Sequence, residues 1–218
     1  MGSVLSVYER RLRDALRSRG VGHPDSLTSR NNPARSLDRV GRAEAARPLC
    51  ERTLTHRQRI LGVDHPDTLT SRNNLALCLQ TVGRAEAALP LYEQTLTDRQ
   101  RILGVEHPHT LTSRNNLALC LKSVGRAEAA LPLYEQTLTD SERILGPHHP
   151  DTLGSLNNLA VCLETVGRAD AALPLFEQTL TDSERILGVD HPNTLTSRSN
   201  LAGCLETVGR AFAALPLY

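Results

Sequence analysis

Tryptophan is missing from the chain, and aromatic residues make up only 3% of its 218 positions. A platform of stacked rings for single-stranded nucleic acid, or a large aromatic anchor cluster at an interface, has little to be built from. Lysine occurs once, at Lys122, and the formal net charge is +1. The clustered basic excess that releases counterions from a phosphate backbone is therefore lacking, and no nucleic-acid partner is expected. No apolar run approaches the roughly 20 residues that a bilayer demands, and the N-terminus has no apolar secretory core, so no membrane partner is expected either. A phosphate-cradling glycine loop, a nucleophile elbow and a zinc-protease motif are all missing. His107 with His109 and His148 with His149 are locally dense, but no Asp, Glu or Cys completes a ligand set at recognised spacing. We expect no enzyme activity, no metal and no cofactor.

The chain consists instead of one unit written over and over. His65 to Glu106 reads HPDTLTSRNNLALCLQTVGRAEAALPLYEQTLTDRQRILGVE, and His107 to His148 departs from it at a handful of positions. A His-Pro pair stands at His23, His65, His107, His149 and His191, each 42 residues after the last, and a glycine follows 18 residues on at Gly41, Gly83, Gly125, Gly167 and Gly209. A period of this length marks stacked units that bury their apolar faces against their neighbours. With no linker or shift in composition, the expectation is a single array over 1–218: a partial repeat 1–22, repeats 23–64, 65–106, 107–148 and 149–190, and a partial repeat 191–218. The pattern at Gly2 and Ser6 matches N-myristoylation, but Tyr8 already falls in register with Cys50, which favours a segment of a longer array.

Cys78, Cys120, Cys162 and Cys204 form one column of the repeat, and Cys50 stands in another. Equivalent atoms of adjacent repeats lie roughly one helix-packing spacing apart, about 8–10 Å, beyond the about 7 Å limit between the Cα atoms of a disulfide. The cysteines are expected to be free thiols filling apolar space, which suits a reducing, cytoplasmic location.

Within the clearest copy Leu75, Ala76, Leu79 and Val82 fall on one helical stripe. Pro66 suits a first helical turn, Asp64 or His65 a cap, and Gly83 a left-handed stop. This predicts helix A over about 66–82. Helix B is predicted over about 84–103, ending at Gly104, with Ala85, Ala88, Leu89, Tyr92, Leu96 and Ile102 inward and Glu93, Asp98, Arg99 and Arg101 left to solvent. Two helices joined by so short a turn must pack antiparallel, with Ala76 and Ala88 at the closest approach. Pro90, repeated at Pro48, Pro132, Pro174 and Pro216, removes one backbone bond and is expected to bend helix B or free the carbonyl of Glu86. Pro33, where other copies have Leu75, is expected to kink or delay the first complete helix A.

The pattern L-A-x-x-L, a glycine at the helix turn, then A-x-x-x-[YF] resembles the tetratricopeptide repeat. With HPDTL, NNLA, Gly-Arg, PLYE and ILG, the 42-residue form is similar to the repeats of kinesin light chain and of repeat arms on bacterial signalling ATPases. Ala85 stands where the family commonly has an aromatic, and Arg72, Arg114 and Arg198 where an apolar residue is usual; Leu156 restores that apolar position. The resemblance implies an all-α fold, a right-handed α-solenoid of antiparallel helix pairs, with helix A lining a concave groove that holds a protein or peptide partner. The residues it places toward that groove are Thr70, Asn73, Asn74, Leu77 and Gln80. Their counterparts are Thr112, Asn115, Asn116, Leu119 and Lys122; then Asn157, Asn158, Val161 and Glu164; and last Thr196, Ser199, Asn200, Gly203 and Glu206.

Among these the paired asparagines carry the most chemistry, because an amide both donates and accepts and so can hold a peptide backbone while nearly ignoring its side chains. Two readings stand side by side. Either one Asn of each pair ties helix A to a neighbour while Asn74, Asn116, Asn158 and Asn200 face the ligand, or both are structural. The column Gln80, Lys122, Glu164 and Glu206 sets a polarity gradient that would draw the basic end of a ligand toward the C-terminal repeats. The arginine column either offers carboxylate contacts or packs its stems with solvated tips. The expected function is a scaffold for protein or peptide partners. A second possibility is the sensor arm of a larger signalling ATPase, or self-association end to end through uncapped repeat faces.

Overall fold

The computed structural model describes residues 43–217, so the expectations for Pro33, His23 and the N-terminal pattern lie outside the described residues. Nine α-helices and a closing 3-10 turn, and no strands, occur among them. They are α1 (Ala43–Leu61), α2 (Pro66–Thr81), α3 (Ala85–Leu103), α4 (Pro108–Ser123), α5 (Ala127–Leu145), α6 (Pro150–Thr165), α7 (Ala169–Leu187), α8 (Pro192–Thr207) and α9 (Ala211–Ala214). Even-numbered helices from α2 to α8 are the A helices and odd-numbered ones the B helices, as the periodicity predicts. Two compact units divide the chain, one ending at Ser113 and the other beginning at Arg114. In the first, α1 packs on α2 and α2 on α3; in the second, α5 packs on α6, α6 on α7, α7 on α8 and α8 on α9.

Each helix limit has a local cause. His65, His107, His149 and His191 take extended or cap positions and accept through Nδ1 the backbone N–H two residues on, each at 3.1 Å, which satisfies one of the amides that a helix start leaves open. At the other end Gly83 has φ +76°, and Arg84 N–H donates to Leu79 O at 2.8 Å. That is a Schellman closure, and only glycine reaches it without strain. The B helices run unbroken through Pro90, Pro132 and Pro174.

The core follows the predicted stripes at Leu75, Ala76 and Leu79 and at Ala88, Leu89, Tyr92 and Leu96, with Ala76 and Ala88 fully buried. Small residues at these points let the two helix backbones close on each other. Polar residues, however, share the interior to a degree the stripes did not predict. Arg99, expected in solvent, is 4% exposed. It leaves α3 and donates through Nη1 to His109 O at 3.0 Å and Ser113 Oγ at 2.8 Å, and through Nη2 to Thr70 Oγ1 at 3.4 Å. Arg57 does the same one repeat earlier, donating to Asp67 O at 3.1 Å and Ser71 Oγ at 2.8 Å. Burial lowers the pKa of both guanidinium groups, with Asp67 opposing the shift at Arg57. Each arginine fills the wedge where a B helix meets the start of the next A helix, and it satisfies a first-turn carbonyl there.

Arg72 and Arg114 are also interior, so their tips are not solvated and do not reach a groove. Arg72 donates to Asp98 Oδ2 at 2.6 Å and Arg114 to Asp140 Oδ2 at 2.7 Å, each pair joining the A and B helices of one repeat. Asp98, like Arg99, is therefore not a solvent residue. Arg198 meets Glu184 instead, at 2.9 Å and with both side chains partly exposed.

All five cysteines are buried, free thiols. Cys162 donates to Ala127 O at 3.4 Å and Cys204 to Ala169 O at 3.6 Å. Burial raises the pKa of both; around Cys162, Lys122 opposes that shift while Glu128 and Glu135 add to it. A thiol held protonated is a poor nucleophile. In the native protein we expect an aromatic disulfide reagent at mildly alkaline pH to find almost no rapidly reacting thiol, and all five after unfolding. Fast modification of the folded chain would show that the column opens.

Candidate functional site

In the second unit asparagines of successive A helices bond one another. Asn158 Nδ2 donates to Asn115 Oδ1 at 2.9 Å, and Asn200 Nδ2 donates to Asn157 Oδ1 at 2.9 Å. The second Asn of one repeat thus bonds the first Asn of the repeat before it, and a ladder of amides runs from A helix to A helix. The 42-residue period plus one residue produces this link, because facing turns of successive A helices place i and i+43 side by side. Asn115, Asn157, Asn158 and Asn200 are all half-buried. Each ladder bond uses one valence of an amide that has up to four, so the exposed edge of the row keeps capacity for other groups. In the Asn157 and Asn158 pair both members join the ladder.

The other predicted positions fall on the same helices with graded exposure. Val161, Glu164 and Lys122 are half-buried, and Leu119 and Glu206 are exposed. Glu164 Oε1 accepts from Thr207 Oγ1 at 3.1 Å, a further link between α6 and α8. In the first unit Asn74 is buried, while Asn73, Leu77 and Gln80 are half-buried. Gln80 Oε1 accepts from Tyr92 Oη at 3.2 Å, which turns this side chain toward its own B helix.

A cleft of about 170 Å³ opens beside the ladder in the second unit. Asn157 and Asn158 form part of its wall together with Gly154 on α6, Ser183 on α7, and Asn193, Thr196 and Ser197 on α8, and Pro150, Leu153 and Leu187 add apolar surface. Sequence reasoning assigned no role to Gly154 or Ser183. Gly154 breaks its column, standing where Thr70, Thr112 and Thr196 do, and Ser183 shares with Ser141 the column that Arg57 and Arg99 open. Among the described residues no group of three or more His, Cys, Asp or Glu is placed to hold a metal ion, and no helix is long and apolar enough to cross a membrane.

A family model, the tetratricopeptide repeat, matches residues 25–100, 73–143, 109–184 and 151–218, together nearly the whole chain. The chain belongs to the tetratricopeptide repeat family. Among solved structures this tetratricopeptide protein is similar to the nearly identical kinesin-light-chain repeats of Podosopora anserina, at 30% identity and a TM-score of 0.77 over 89% of this chain and 92% of that one. It is also similar to BtubC of P. vanneervenii, at 22% identity and a TM-score of 0.80 over 98% and 86% of the two chains. A likeness in fold extends to PlcR of Bacillus thuringiensis, solved in complex with the peptide PapR7 and DNA, at 14% identity and a TM-score of 0.66 over 89% and 67%. No curated protein matches the chain by sequence. Tetratricopeptide repeats are packing units of scaffolds, and the interior found here, apolar stripes laced with buried Arg, Ser and Thr, is built for stacking.

Proposed function

We propose that this chain is a peptide-binding scaffold whose A helices present their amide row to an extended segment of a partner. The observation that carries the reading is the half-exposed ladder of Asn115, Asn157, Asn158 and Asn200, fixed in direction by its own hydrogen bonds. Amides pre-oriented in this way lose little freedom on binding, which is where affinity for a flexible peptide is usually lost. Leu119 and Val161 supply apolar contact beside the row, and Glu164 and Glu206 favour a basic end of the ligand near the C-terminal repeats. The likeness to PlcR, which holds a peptide, agrees with the class of partner. In the first unit the half-buried Asn73 and Leu77 are the corresponding contacts, and Asn116 and Lys122 extend the row in the second.

The test is a displayed peptide library selected on the folded chain, followed by the double variant Asn158→Ala and Asn200→Ala. Each change breaks one ladder bond, so a stability loss of about 0.5–1.5 kcal/mol per site is expected. Binding of the selected peptides should fall by about tenfold or more while the variant stays folded by circular dichroism. Peptides held equally well by the double variant would remove the amide row from the binding surface.

A further inference from the structure

Arg57 and Arg99 show what a B-helix arginine does at the start of the next A helix, and the second unit keeps that setting without the arginine. On the 42-residue period Ser183 stands where Arg57 and Arg99 do, Asn193 where Asp67 and His109 do, Ser197 where Ser71 and Ser113 do, and Gly154 where Thr70 does. The acceptors that hold Arg99 are His109 O, Ser113 Oγ and Thr70 Oγ1. Their counterparts Asn193, Ser197 and Gly154 all line the cleft of about 170 Å³. Ser183 is 2% exposed and forms part of that lining. Two losses on facing elements open the space: a long side chain from α7 and a hydroxyl-bearing one from α6. A β-carbon built on Gly154 meets no other atom within 4 Å. In place of accepting from an arginine, Ser197 Oγ turns and donates to Asn193 O at 3.0 Å.

We propose that this cleft is a guanidinium-binding site that takes the arginine side chain of a partner segment lying along α6 and α8. The source of the guanidinium rests on the peptide-binding reading above; the site itself does not. The first unit supplies the chemical precedent. There the same backbone carbonyl and serine hydroxyl hold two buried guanidinium groups, and the hydrogen bonds of Arg99 go to a carbonyl and two hydroxyls with no carboxylate among them. In the cleft, Asn193 O and the hydroxyls of Ser183 and Ser197 are the acceptors, and Asn157 and Asn158 form part of the wall. A guanidinium is planar and weakly hydrated, and it spreads its donors in a fork that spans separated acceptors. An ammonium is a compact, strongly hydrated charge that would lose more water than this uncharged lining restores. The site should therefore distinguish arginine from lysine.

The experiment is a titration of the full chain with ethylguanidinium chloride, read by amide NMR and compared with ethylammonium chloride at equal ionic strength. Saturable shifts at Gly154, Ser183, Asn193 and Ser197 are expected with ethylguanidinium, and a response about tenfold weaker with ethylammonium. Ser183→Arg should fill the cleft from within, abolish the response and raise the unfolding midpoint. Ser197→Ala, which removes one acceptor without adding bulk, should weaken the response several-fold. Equal responses to the two cations, no saturable shift, or a full response in Ser183→Arg would overturn the site. The blocked tripeptide acetyl-Gly-Arg-Gly-amide should bind at least as well as ethylguanidinium, and its lysine counterpart much less. A site that accepts ethylguanidinium but excludes the arginine tripeptide would overturn the assignment to a polypeptide partner. Failure of the small cation leaves the amide-row reading standing, and failure of the peptide library leaves the cleft standing, so the two are told apart.

Discussion

Replacing Tyr134 by alanine is expected to lower the stability of the chain by about 3–5 kcal/mol, while phenylalanine at the same position costs no more than about 1 kcal/mol. Tyr134 is 1% exposed, and burial raises its pKa strongly, with Cys162 adding to the shift. A ring so enclosed leaves a void that closely packed helices cannot collapse into. The repeat supplies its own control for the hydroxyl: Phe176 fills the same column one copy later and is fully buried. Tyr92, whose Oη donates to Gln80 at 3.2 Å, should lie between the two cases, with Tyr92→Phe losing that one bond. Urea denaturation measures all three, and an unchanged m-value would show that the folded state and not the denatured ensemble absorbed the change. A loss below about 1 kcal/mol for Tyr134→Ala would mean that the aromatic column is not part of the core.

The architecture was legible because a strict period ties every copy to the same caps and stops. His-Pro at the start, glycine with positive φ at the turn and the Leu/Ala stripes place helix A at 66–82 by sequence and Pro66–Thr81 in the structure, and helix B at 84–103 and Ala85–Leu103. The polar interior was not legible, because polarity alone does not signal exposure: the rule that apolar residues lie inside runs one way only. Arg99 lies three residues after Leu96 and seven after Tyr92, on the inward stripe by spacing alone. Spacing was the better guide, since a long arginine both fills the wedge between helices and reaches a first-turn carbonyl that needs a donor. The asparagines were recognised as unusual from composition, but which amide meets which depends on the side-by-side placement of residues 43 apart. The cleft was out of reach for a similar reason. It arises from two departures, Thr to Gly on α6 and Arg to Ser on α7, that are 29 residues apart in sequence and adjacent only once folded.

The A-helix arginines lead to the second large effect. Arg114→Ala is expected to cost about 3–5 kcal/mol, because it removes the close partner of the mostly buried Asp140 at 2.7 Å and leaves the volume of the arginine stem unfilled. The loss should persist at high salt, since a pair this enclosed is little screened by ions. Arg114→Leu should cost clearly less. Leu156 occupies the same column in the next repeat, where Asp182 is held instead by Arg185 at 2.9 Å; Asp140 has the equivalent Arg143 at 3.7 Å, close enough to take over. Arg198→Ala should change stability by no more than about 1 kcal/mol, because its pair with Glu184 is 29% and 38% exposed and competes with water. The three variants share one column and one repeat chemistry, so their ranking isolates burial as the cause. Denaturation at low and high salt gives that ranking directly. Equal costs for Arg114→Ala and Arg198→Ala, or a cost at Arg114 that vanishes with salt, would show that the ion pair acts at the surface.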